Sequence, residues 1–106
     1  MAVDVTWVTL ADPHRRAVLD LLRERAHAVG ELAEKLHLTQ PQASKHLRVL
    51  RDAGLVQVER QAQRRIYSVE PGPIRDVDAW LQPYRHLWND HLDRLGRHLD
   101  EQEDLR

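Results

Sequence analysis

The chain has 106 residues, 42% of them hydrophobic, no cysteine and a formal net charge of −1. That suffices for one domain with a modest core, excludes disulfides and thiolate metal sites, and gives wholesale disorder no compositional support. No apolar run reaches the roughly 20 residues of a membrane span, and "MAVDVTWVTLADP" has no basic region ahead of an apolar one. Neither a membrane location nor a signal peptide is expected, and a reducing cytoplasm fits.

In chain order, Asp4 is placed to cap a first helix running to about Ala11, with Trp7 and Leu10 on its apolar side. Asp12 caps a second helix with Pro13 in its first turn, where the missing N–H costs nothing. Val18, Leu21 and Leu22 form its buried stripe, and it ends near Arg25. A third, shorter helix is predicted from about Gly30 to Leu36, with Leu32, Ala33 and Leu36 inward.

The next segment, "TQPQASKHLRVLRDAGLV", carries a start, a stop and a stripe. Thr39 and Gln42 make a capping box, Pro41 is tolerated in the first turn, and Ala43, Leu47 and Leu50 face a core. Gly54 ends the helix as a left-handed residue, with Leu55 folding back toward Leu50. "LVQVER" and "RRIYSV", separated by "QAQ", read as a β-hairpin spanning 55–69. Beyond "EPGP" the spacing of Ile74, Val77, Leu81, Tyr84, Trp88, His91 and Leu95 predicts a helix over 73–102, kinked or broken near Pro83.

Charge is unevenly spread. From Leu38 to Ser68 there are six basic residues (Lys45, Arg48, Arg51, Arg60, Arg64, Arg65) and two acidic ones (Asp52, Glu59), whereas 73–106 has five basic and eight acidic. A basic middle in a near-neutral chain suits one surface to an anionic partner. On a helical wheel Gln40, Pro41, Ser44, Lys45 and Arg48 lie opposite the apolar stripe. Amide, hydroxyl and cationic groups without an acid can bond base edges and phosphates, and the helix N-terminus adds an anion site. A short helix, a tight turn, a capped second helix (39–53) and a basic hairpin make a helix-turn-helix with a wing, the second helix suited to the major groove.

"LADPHRRAVLDLL", "VGELAEKLHLTQPQASKHLRVLRDAGLV" and "RRIYSV" resemble the ArsR family of bacterial winged-helix transcriptional repressors, across Leu10 to Val69 without a gap. The resemblance implies a mainly α, winged helix-turn-helix fold in a single domain, 1–106, dimerising through its first and last helices. It implies a homodimer on a palindromic operator in double-stranded DNA, with the effector unknown. The DNA-reading positions fall on Thr39, Gln40, Gln42, Ser44, Lys45, His46 and Arg48, with Arg64 and Arg65 in the wing. Gln40 and Ser44 are assigned to bases, and Lys45 and Arg48 to phosphate. Gln42 has the cap as its other role, His46 packing beside the apolar face, and Arg60 either DNA or a pair with Glu59. The dimer seam falls on Trp7, Leu81, Tyr84, Trp88, His91 and Leu95. Two positions depart from the family pattern. His37 stands where the tight turn has glycine, so a positive φ is expected there, and the wing tip "QAQ" has no glycine.

One family metal site needs two cysteines in the third helix, where this chain has Ala33 and Lys35. A second needs an Asp-x-His pair upstream at the right distance, which this chain lacks, and only its other half is met, by His98 and Glu101. No metal or cofactor is therefore assigned, and a metal-responsive repressor using His91 and His98 is the alternative. A winged-helix protein-interaction module is a further one, disfavoured by an outward face without aromatic anchors. No glycine-rich phosphate loop or nucleophile set supports an enzyme. His14 in "DPHRR" reads as solvated at a helix start, with Arg15 and Arg16 beside it available to phosphate.

Overall fold

A computed structural model describes the backbone of residues 2–104 and the side chains of 3–99. Helices α1 (Ala2–Leu10) and α2 (Pro13–Glu24) lead into a two-residue strand β1 (His27–Ala28) and helices α3 (Val29–Leu36) and α4 (Gln40–Asp52). Strands β2 (Val56–Gln61) and β3 (Arg64–Val69) and a long helix α5 (Gly72–Asp104) complete the chain. The architecture is mostly helical with a small antiparallel sheet, as the sequence predicts.

Four corrections stand against that expectation. α1 begins at Ala2, so Asp4 sits in its first turn rather than at the cap, where its charge still favours the helix dipole. The hairpin has a third strand, in the order β1-β3-β2 with His27 opposite Tyr67. The third helix begins at Val29, because Glu31 accepts the Ala28 N–H at 3.2 Å and fixes the first turn earlier. α5 runs through Pro83 without a break. Its ring removes the N–H that the Ala79 carbonyl would receive, but both residues are exposed, so water can serve that carbonyl.

The helix ends are built from local hydrogen bonds. Asp12 caps α2 by accepting the His14 N–H at 2.7 Å. Arg15 donates to the Thr9 carbonyl (3.1 Å), and Arg16 donates to those of Leu10 (2.7 Å) and Ala11 (3.2 Å). The two arginines thus close the open carbonyl end of α1 rather than reaching outward for phosphate. α4 ends in a Schellman turn: Leu55 N–H donates to Leu50 and Gly54 N–H to Arg51, both at 2.9 Å, with Gly54 at φ 75°. α3 ends the same way, Leu38 N–H donating to Ala33 (2.9 Å) and His37 N–H to Glu34 (3.3 Å), with His37 at φ 57°. The positive φ expected of His37 is observed.

The core that sets these elements together consists of Val18, Leu22, Leu32, Leu47, Leu50, Leu55, Val56 and Tyr67. It joins α2, α3, α4 and the sheet, so the side of α4 opposite this core must face solvent. His27 is 1% exposed, and its polar atoms are satisfied: Nδ1 bonds the Arg25 carbonyl at 2.8 Å, and Nε2 receives Lys35 Nζ at 3.3 Å.

Candidate nucleic-acid interface

Ala43, Leu47 and Leu50 are buried, and a helical period then turns Gln40, Ser44, Lys45 and Arg48 outward, where all four are exposed. The helix start that presents them is rigid: Thr39 N–H donates to Gln42 Oε1 (2.9 Å) and Gln42 N–H to Thr39 Oγ1 (3.2 Å). Gln42 therefore has its carbonyl oxygen in the cap and only its amide nitrogen left to offer. The Gln40 side-chain nitrogen lies 3.3 Å from where a Cβ on Gly30 would sit, so that glycine gives it room over α3. Among the described residues neither Lys45 nor Arg48 has an ion-pair partner.

His46 differs from its neighbours. It is half-buried, at the α4–α2 seam, with its ring stacked on His14 at 5.5 Å between centroids. It therefore faces α2 and leaves the outward set. Burial holds its pKa below the ordinary histidine value, with Arg15, His14 and Lys45 adding to the effect and Asp12 opposing it.

In the wing, Arg60 and Arg65 are directly paired across β2 and β3 and both exposed. Like charges opposite one another repel, and an anion between them would relieve that. Glu59 pairs with Ile66, so Arg60 does not face the acid beside it in sequence. Arg64 turns the other way: its guanidinium sits 3.4 Å from Glu31 Oε1, while Arg25 holds Oε2 of the same carboxylate at 3.1 Å. Reaching a phosphate would require Arg64 to leave Glu31. The glycine-free tip is a two-residue turn with Ala62 at φ 56°.

Comparison with known proteins agrees with this geometry. A helix-turn-helix domain model matches residues 10–59. The HTH-type transcriptional regulator Rv2034 of Mycobacterium tuberculosis is 43% identical over 101 residues, covering 95% of this chain and 92% of the relative. The crystal structure of an ArsR family transcriptional regulator superposes with a TM-score of 0.72 at 34% identity, over 83% of this chain and 91% of that one. The chain belongs to the ArsR family of helix-turn-helix transcriptional regulators. The homodimeric winged helix-turn-helix DNA-binding domain of Mb0332 from Mycobacterium bovis, solved by NMR, gives a TM-score of 0.64 at 28% identity, over 88% and 83% of the two chains. Named repressors are also among the relatives.

In this ArsR-family chain the positions matching the family's cysteine pair hold Ala33, buried, and Lys35, bound to His27. Of the seam residues expected from sequence, Tyr84 is 52% exposed, Trp88 68% and Leu95 47%, and His91 is exposed beside them. Leu81 is half-buried. Trp7, 42% exposed, meets Trp80 of its own chain edge-on at 5.6 Å. Periodicity also aligns Leu92 and Leu99 with that stripe, and both are exposed; in the sequence His91, three and four residues from Trp88 and Leu95, masks that alignment. α1 shows an inverted pattern, with Thr6 and Thr9 buried and Val5 and Val8 exposed.

Proposed function

We propose that this protein is a homodimeric transcriptional repressor that binds a palindromic operator in cytoplasmic DNA through α4 and the wing. The observation that carries the reading is the outward face of α4: exposed Gln40, Ser44, Lys45 and Arg48, free of acidic residues, on a helix whose cap and core are fixed. Gln40 and Ser44 reach base edges, Gln42 offers its amide nitrogen, and Thr39, Lys45 and Arg48 hold phosphate. Arg60 and Arg65, and Arg64 once released from Glu31, meet the flanking backbone. The apolar stripe of α5, with Tyr84, Trp88 and Leu95, and the apolar outer side of α1 support pairing with a second copy. Occupying a promoter, the dimer excludes polymerase; no catalytic role is assigned.

Fluorescence anisotropy on the protein's own upstream DNA and on a scrambled duplex, at two salt concentrations, tests this. The expected result is tight, salt-steep binding that selects the upstream duplex. Equal weak binding to both duplexes at both salts would overturn it.

A further inference from the structure

Beyond the DNA-facing surface lies a cluster that the proposed function does not use. Asp12, at the start of α2, His14, two residues on, and His46, in the middle of α4, each bring one ligand-type atom within 4.8 Å of the others. It is the one such group of three among the described residues, and it includes neither His91 nor His98. His14 Nδ1 is 3.7 Å from Asp12 Oδ1, near the roughly 3.4 Å between two ligand atoms held about 2.1 Å from one tetrahedral ion. Nδ1 of His46 is buried and has no hydrogen-bond partner. A buried imidazole nitrogen without a partner is costly, whereas the other buried histidine, His27, is satisfied at both nitrogens.

From this juxtaposition we infer that Asp12, His14 and His46 form a binding site for a divalent cation of the zinc type, joining α2 to the DNA-facing helix. Two imidazoles and one carboxylate are ligands zinc accepts, and three protein ligands leave a fourth position for solvent. The His14 side chain is 55% exposed, so its ring can rotate to converge with that of His46. Asp12 Oδ1 already accepts the His14 N–H, and Oδ2 lies 3.9 Å from Arg15, so the oxygens keep these partners while turning a lone pair to the ion. Arg15 and Lys45 border the site as cations. Arg15 is tethered to the Thr9 carbonyl. Sequence spacing hides the site, because its halves lie on different helices more than thirty residues apart.

The test uses untagged full-length protein, stripped with chelator and titrated with Co2+, whose tetrahedral complexes absorb visibly, followed by displacement with Zn2+. The expected result is one Co2+ per protomer, displaced by Zn2+. Affinity is expected to fall at least about tenfold in His14→Gln and in His46→Gln, and to stay unchanged in His98→Gln. His14 is exposed, so His14→Gln should fold normally; its melting temperature without metal checks this, and Zn2+ should raise that of the parent chain but not of the variant. No uptake by the parent protein, equal uptake by His14→Gln, or loss of uptake in His98→Gln would each overturn the site. None of these readouts involves DNA, so the repressor reading can fail without the metal site failing.

Discussion

Glu31 holds three partners at once: the Ala28 N–H, Arg25 and, from the wing, Arg64. The Ala28 N–H and then the Arg25 guanidinium keep its pKa below the ordinary glutamate value, against a smaller opposing effect of burial. A carboxyl lowered on folding stabilises the folded state above its unfolded pKa, and that contribution is lost as pH falls through the lower folded value. Glu31→Gln should therefore melt lower than the parent at neutral pH, and the two melting curves should converge as pH drops below the ordinary carboxylate range. A constant gap from pH 7 down to pH 3 would contradict this. On the DNA side, Arg48→Ala should weaken binding to every duplex and reduce the salt slope by about one, whereas Ser44→Ala or Gln40→Ala should cost about 1–3 kcal/mol on the operator alone. Anisotropy on operator and scrambled DNA separates the two outcomes. The Thr39–Gln42 box is visible in the sequence because it closes within four residues. The Arg64 contact to Glu31 is not, since the two lie 33 positions apart.

Two turns use non-glycine residues in left-handed conformations, His37 between α3 and α4 and Ala62 at the wing tip. Such a residue is strained, and alanine has no side-chain polar group to offset the strain. Ala62→Gly should raise stability by about 0.5–1 kcal/mol, the relief exceeding glycine's extra unfolded-state entropy, as read from a urea midpoint. An unchanged or lower midpoint would show that the hairpin bears no strain there. His37 was legible through the family resemblance, because it stands where the family's tight turn has glycine. Ala62 was not: "QAQ" offers three candidates until the strand register, Gln61 opposite Arg64, selects the two that turn. β1 escaped for a different reason, since two residues carry no periodicity and His27 reads as a surface residue until its buried partners are known.

The whole molecule is long: it extends 66 × 33 × 22 Å with a radius of gyration of 19.3 Å, against about 13 Å for a compact domain of this length. The excess belongs to α5, whose 33 residues span roughly 50 Å. Its apolar stripe was legible as a heptad-like repeat, but the repeat alone could not say whether it packs within the chain. The structure leaves Trp88, Leu92, Leu95 and Leu99 exposed, and Trp7, itself 42% exposed, lies edge-on to Trp80. Leu95→Glu should place a charge in the paired stripe and cost about 3 kcal/mol or more, a dimer constant weakened at least about a hundredfold. Sedimentation equilibrium should then find protomers at concentrations where the parent is dimeric, with operator binding weakened in step. A dimer of parental affinity would rule out this face.

The uncovered stripe has a consequence for dosage in the cell. If the reading unit is a pair, then below the dimer constant its abundance follows the square of the chain's abundance, not its first power. Halving synthesis would remove three quarters of the reading units, and a promoter under such control would open over a narrow interval of expression. For a chain that acts as such a pair, a helix that finds no cover in its own chain would be a counting device, setting how sharply the gene responds to how many copies are made.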